Sequence, residues 1–424
     1  MKSKYNTYKD FNNVSLKVNI DKKIYYGSLN TNNNHITLSI NMSKDIEHWR
    51  KINANRDTIC GSIVVENIDI TLINCTYCGS PYTMFKNEPQ KNIYEAEFII
   101  DRILLGKKVS KIDRKLFSKA NVIYDNIDSF TNDQPYELDT TTMTYKVTPS
   151  NYKINTNESD INICFSCKNR NGQKLLSVER ETIVDFTFKK NLSLSNTLNE
   201  IYKFRCFLII LLRKHITVSR QIISIDNSEY QLIDCRIDKV YPIDEELFAH
   251  KMVKIEKITN ISEVYQEFQN QYLQLLPALD VYYNTISCFI PNINRFILGT
   301  TALEYFSNEY DFVNALSLTK QKKPKAKEPD YVDKVEHLIA NINVILKCNI
   351  SDIPIIADNV KEARVYYIHY NKKRKQLSDE EQQYYSYFVF DILLLNIYKL
   401  IKIDLSLMES SCHNNIYYEI NNLL

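Results

Sequence analysis

Near Glu256 the hydrophobic rhythm of this 424-residue chain changes, and that change limits the folds open to it. Before it, apolar residues alternate or gather in short β-branched runs, which is how strands read. After it they recur every three or four residues to the end, which is how amphipathic helices read. The segregation of strands first and helices second predicts an α+β protein: a β-rich N-terminal domain, antiparallel and sandwich- or barrel-like, followed by an all-α bundle. We place the two domains at residues 1–250 and 256–424.

The strand-like runs are Val14–Ile20, His35–Ile40, Ile59–Val65, Ile68–Ile73, Tyr94–Ile100, Thr140–Val147 and Thr182–Phe188. Polar clusters such as Asn30–Asn34 and Asn169–Gly172 separate several of them. Leu192–Lys214 is expected to be a helix, with Leu198, Ile201, Tyr202, Phe204 and Leu208 on its apolar side. Two further strands are expected at Thr217–Ile225 and Tyr230–Ile237. The C-terminal part reads as five helices: Ser262 to about Ser287, Asn292 to about Ser317, Tyr331–Lys347, Ala357 to about Lys372, and Ser378–Asp404. Pro291, Pro324, Pro329 and Pro354 fall between these segments, where a missing N–H does no harm. Ser378 and Glu381 have the spacing of a capping box. Lys320–Lys327 is a basic connector.

Composition narrows function mainly by exclusion. Only 6 glycines are present, and neither a Walker loop nor a GxGxxG turn occurs, so a nucleotide-driven motor or a Rossmann enzyme is not expected. The net charge of +2 supplies no field that would draw nucleic acid to the whole molecule, so any such site must rest on local basic patches. The longest apolar run, Cys206–Leu212, is far shorter than the ~20 residues that span a bilayer. The polar N-terminus lacks the apolar stretch of a signal peptide, so a cytoplasmic protein without a membrane partner is expected.

Reduced cysteines in that compartment point to metal before disulfides. Cys75 and Cys78 form one CxxC, and Cys164 and Cys167 another. Each follows a strand-like run and precedes turn residues, as in a zinc knuckle. Four thiolates would hold a structural Zn²⁺ in a closed tetrahedral site. Buried free cysteines are the plain alternative, and a redox pair is disfavoured because the strand-then-helix setting is missing.

The fourth expected helix carries Arg364 and, five residues on, His369, within ARVYYIHY. An Arg–x4–His pattern says little by itself, since polar residues on amphipathic helices usually serve the bundle. Its place on the penultimate helix of a C-terminal bundle gives it meaning. Together with NRFILGTTALEYFSNEY it resembles the HEPN superfamily, and more closely the ApeA-like HEPN proteins of bacterial antiphage defence. In the N-terminal half, IYYGSLNTNNNHITLSI, ICGSIVVENIDITLINC, EAEFIIDRILLG and YKFRCFLIILL resemble the ApeA-type N-terminal domain.

The resemblance implies a metal-independent endoribonuclease of abortive infection, acting as a homodimer or higher homo-oligomer on cellular RNA such as tRNA or mRNA and answering a phage-derived trigger. It implies that His369 is the acid/base and that Arg364 stabilises phosphate charge, roles suited to an imidazole that titrates near neutrality and a planar fork of donors. Lys372, Lys373, Arg374 and Lys375 follow directly and are tentative RNA-binding residues, a solvated turn being the alternative. Glu304 reads as an ordinary exposed helix residue or a supporting carboxylate, and His337 as structural. Five positions on a helix amount to about 500°, so the two motif side chains diverge by about 140° unless the helix distorts. HEPN nucleases often carry a polar residue after the Arg, whereas this chain has Val365. That departure favours the alternative of a catalytically inactive RNA-binding or scaffold protein.

Overall fold

The computed structural model describes residues 5, 7–32, 35–50, 52, 54–84, 92–130, 136–139, 144–147, 151–172, 175–225, 228–235, 253–287, 289–309, 330–370 and 373–408. The basic connector Lys320–Lys327, the far end of the second expected C-terminal helix and Lys372 lie outside these residues. So does the side chain of Cys167.

The strands are β1 (Val14–Ile20), β2 (Lys23–Asn32), β3 (His35–Asn41), β4 (Arg56–Ile63), β5 (Ile68–Gly79), β6 (Tyr82–Thr83), β7 (Ile93–Leu105), β8 (Phe117–Tyr124), β9 (Tyr136–Asp139), β10 (Thr144–Val147), β11 (Asn151–Asn155), β12 (Ser159–Gly172), β13 (Leu175–Leu192), β14 (Val218–Ile225) and β15 (Ser228–Asp234). The helices are α1 (Ile46–Trp49), α2 (Leu194–Leu212), α3 (Ile261–Ser287), α4 (Asn292–Glu309), α5 (Tyr331–Asn341), α6 (Asn343–Leu346), α7 (Ile353–His369) and α8 (Asp379–Leu400).

The β-rich part closes on itself. Antiparallel pairs β1–β2, β2–β3, β3–β7, β7–β5, β5–β4 and β4–β1 form a complete ring, so these strands make a barrel without a free edge. Strict alternation drives this. Along β1 every second residue, Val14, Leu16, Val18 and Ile20, is buried and those between are exposed. Leu29, Leu38, Ile40, Leu72, Phe98 and Ile100 join them inside.

β7 has a second role. Glu95–Ile100 pair with β3, while Arg102–Leu105 pair with β15. From there the sheet continues through β14, β8, β13 and β12 to β11. The expected sandwich- or barrel-like architecture is thus a closed barrel carrying a sheet extension.

Polar groups pin α1 to one rim of the barrel. Asp45 accepts from the His48 amide at 3.2 Å, from Lys23 Nζ at 2.6 Å and from the Tyr25 hydroxyl at 3.0 Å. His48 lies between Tyr25 (Nδ1, 2.5 Å) and Asp21 (Nε2, 3.1 Å). The bond from Lys23, helped by Tyr25 and the His48 amide, holds the Asp45 carboxyl down at about 2 despite the opposing effect of burial. Its folded pKa being depressed, this tie is present above the ordinary carboxylate range and is lost as the pH falls through about 2.

Contacts within the chain divide it into two units. The first comprises Met1–Asp125, Gln134–Ile201 and Thr217–Asp238, and the second Asn126–Asp133, Tyr202–Ile216 and Lys239–Leu424. The latter half of α2 therefore counts with the helices, although the sequence reading grouped it with the strands. Phe204 and Phe207 pack on Tyr265 and Phe268 of α3, with ring centroids 5.0–5.4 Å apart. Just past α2, at a left-handed φ of 51°, Arg213 turns into the interior and meets Asp391 of α8 at 2.5 Å. Their side chains are 1% and 3% exposed.

Within the helical unit α4 crosses α8 so closely at Gly299 that a Cβ there would overlap the Val389 side chain. α3 runs through Pro277, and Pro354 sits in the first turn of α7 rather than ahead of it, a position that needs no N–H. The third expected helix breaks at Ile342 into α5 and α6. The capping box at α8 is formed: Glu381 N donates to Ser378 Oγ at 3.2 Å and Ser378 N to Glu381 Oε2 at 2.8 Å. Among the described residues no helix is long and apolar enough to cross a membrane.

Candidate active site

α7 follows its N-cap Asp352, carries Pro354 in its first turn, and remains helical through His369, where Tyr370 at φ 49° and ψ 41° ends it. Ile353, Ile356, Ala357, Val360 and Ala363 form its buried stripe. Arg364 continues that stripe, one turn beyond Val360, whereas His369 lies off it. Arg364 turns toward α4 and α5, and its Nη2 donates to Glu304 Oε2. Its guanidinium also lies over the Tyr331 ring, 4.4 Å from the centroid. The Tyr331 hydroxyl donates to the Thr300 carbonyl at 3.2 Å, and burial, opposed by Arg364, keeps that phenol well above its ordinary pKa.

The Arg364 side chain remains 21% exposed. Its Nε is buried and has no hydrogen-bond acceptor among the described residues. Leaving a buried donor unmatched costs about 1–3 kcal/mol.

His369, the last helical residue, is exposed to solvent. α7 shows no break between the two positions, so the divergence of about 140° expected from helix geometry holds within one chain. Arg364 and His369 are not brought together by the fold of a single protomer.

The basic run after α7 is tied down in part. Arg374 folds back to pair with both oxygens of Glu362 at 2.8 and 2.9 Å. Lys375 reaches Glu381 at 3.0 Å, and Lys373 is exposed. Glu304, read from the sequence as most simply a solvent-facing residue, instead anchors Arg364. Tyr331 was not singled out at all, and no local signal marks either, since both act through contacts far along the chain. His337 is half-buried, and burial together with Lys399 holds its imidazole below its ordinary pKa, consistent with a structural role.

Among the described residues the cysteines are not gathered as a zinc site would require. Cys75 and Cys78 both belong to strand β5, where residues three apart face opposite ways. Cys75 points inward, 1% exposed, and burial pushes its thiol up to about 12, whereas Cys78 faces solvent. Cys164 is on β12, separated from β5 in the hydrogen-bonded order by β13, β8, β14, β15 and β7. Its Sγ lies 3.7 Å from Asp185 Oδ2, and burial and that carboxylate raise its pKa. Among the described residues no three His, Cys, Asp or Glu side chains gather around a common point suited to an ion. A strong chelator is therefore expected to leave the thermal midpoint of the protein unchanged. A clear drop accompanied by released zinc would reverse this conclusion.

A closed β-barrel with a sheet extension is joined in one chain to a helical bundle that carries an Arg–x4–His pattern. Residues 16–269 match the family described as ApeA N-terminal domain 1, and residues 273–406 match the Apea-like HEPN family. The chain belongs to the ApeA-like HEPN proteins. No curated protein matches it, and neither does any solved structure.

Proposed function

We propose that this protein is a metal-independent HEPN endoribonuclease of antiphage defence, whose β-rich unit senses an infection cue or restrains the bundle. The observation that carries this reading is the state of the motif. Arg364 is held by Glu304 and Tyr331 with a donor to spare, His369 is open to solvent, and neither is sealed in the packing.

In the proposed reaction neutral His369 takes the proton of a ribose 2′-hydroxyl. The oxygen attacks the adjacent phosphorus, the bond to the 5′-oxygen breaks, and an imidazolium returns a proton to the leaving oxygen. The products are a 2′,3′-cyclic phosphate and a 5′-hydroxyl. Arg364 neutralises charge gathering on the non-bridging oxygens. Because the two groups diverge on one helix, the working cleft would be shared between two protomers.

Wild type incubated with total cellular RNA is expected to yield fragments ending in 2′,3′-cyclic phosphate. His369→Ala should cut about 10²–10⁴-fold more slowly. Equal cleavage by the variant would remove His369 from the mechanism. A second reading, an RNA-binding scaffold without chemistry, draws on Val365 and on the carboxylate already paired with Arg364. Wild-type protein that binds RNA and leaves it intact would select it.

A further inference from the structure

We propose that Tyr366 and Tyr370 form a stacking platform that holds one unpaired base beside His369. The inference rests on the ribonuclease reading of His369, but it concerns different side chains and a different property, affinity for unpaired bases.

Tyr366 lies three residues before His369 and so shares its side of α7. Tyr370 follows directly. The rings of Tyr366 and Tyr370 lie 6.0 Å apart at 42°, and Tyr366 meets Tyr367 edge-on at 4.8 Å and 88°. Tyr367 is the fixed member: its hydroxyl donates to the Leu377 carbonyl and accepts from the Leu377 amide, both at 3.2 Å. The backbone at Leu377 thus braces Tyr367, which braces Tyr366, which flanks Tyr370.

Tyr370 is 69% exposed, so a large aromatic face is turned to water at the end of the helix. It also holds a left-handed backbone conformation that bulky side chains rarely adopt, which fixes the turn presenting the ring.

Charge around the rings suits a polyanion. Lys373 is exposed, and Arg374 folds back onto Glu362, seven positions before His369 and hence within about 20° of it around the helix. The Arg374 side chain keeps 43% of its surface exposed. These cations also offset the negative end of the α7 dipole, which would otherwise repel phosphate. An aromatic face flanked by cations is how sequence-tolerant sites hold single strands, because every base offers a π-face to stack. Bases in an A-form duplex are already stacked and are not presented to such a surface.

The test uses full-length His369→Ala protein, so that cleavage is slow on the time scale of the binding measurement. Fluorescence anisotropy compares a labelled single-stranded RNA with the same strand annealed to its complement, at one fixed salt concentration. The single strand is expected to bind more than about tenfold tighter. Adding Tyr370→Ala, or independently Tyr366→Leu, should weaken single-strand binding about tenfold and leave duplex binding unchanged, while Tyr370→Trp retains affinity. Equal affinity for both forms would overturn the proposal, as would single-strand affinity indifferent to both substitutions. So would sedimentation showing that Tyr370→Ala splits an oligomer, since the ring would then be a subunit contact. If wild type fails to cleave RNA but these affinities shift as stated, the platform stands and the ribonuclease reading falls.

Discussion

Asp391→Ala is expected to destabilise the helical unit by about 3–5 kcal/mol, a large part of the ~5–15 kcal/mol that holds a typical domain together. Asp391 faces Arg213 at 2.5 Å with both side chains almost fully buried. The Arg213 guanidinium also lies 5.9 Å from the Tyr398 ring, whose hydroxyl donates to the Ile210 carbonyl at 2.5 Å. Removing the carboxylate strands a positive charge in a low-dielectric interior, and that penalty, more than the lost attraction, sets the size of the effect. Urea denaturation should show a lower midpoint with an unchanged slope. The paired replacement Arg213→Met with Asp391→Leu should regain most of the loss, since no charge then remains to bury. A single variant as stable as wild type would mean that water reaches Arg213.

The second large effect concerns how the motif is assembled. Arg364→Ala and His369→Ala should each lower RNA cleavage by about two orders of magnitude or more. Co-expressed and purified together, they should recover about a quarter of wild-type activity. In a two-fold dimer about half of the randomly mixed molecules are heterodimers, and each of these restores one of two shared clefts. The reason lies in α7, which is regular from Ile353 to His369 and directs Arg364 toward Glu304 and Tyr331 while His369 faces solvent elsewhere. A mixture no more active than either variant alone would place both groups in one protomer's cleft and require α7 to unwind.

Much of this arrangement is visible in the residues themselves. β1 matches its expected limits because Val14, Leu16, Val18 and Ile20 alternate cleanly with polar neighbours. The C-terminal helices are legible from their periodicity, and Ser378 announces the start of α8. β2 escaped notice because KIYYGSLNTN is largely polar, and it becomes a strand by pairing on both sides. Barrel closure depends on partners far apart, β1 with β4 and β3 with β7, which no local pattern encodes. The separation of Cys75 from Cys78 was hidden for a related reason. The strand beginning at Ile68 does not turn at Cys75 but continues to Gly79, and that extension sends the two thiols to opposite faces. Glu304 shows the limit on the helical side: a glutamate on an amphipathic helix reads as solvated until Arg364, 60 residues away, is seen to meet it.

β7 is common property of the barrel and the extension, bonded to β3, β5, β6 and β15 along its length. Displacement of this strand would therefore leave raw strand edges on both sides at once, where a ring otherwise offers none. Unguarded edges recruit strands from other molecules. Displacing this one segment thus opens the ring and bares edges that strands of other molecules can join.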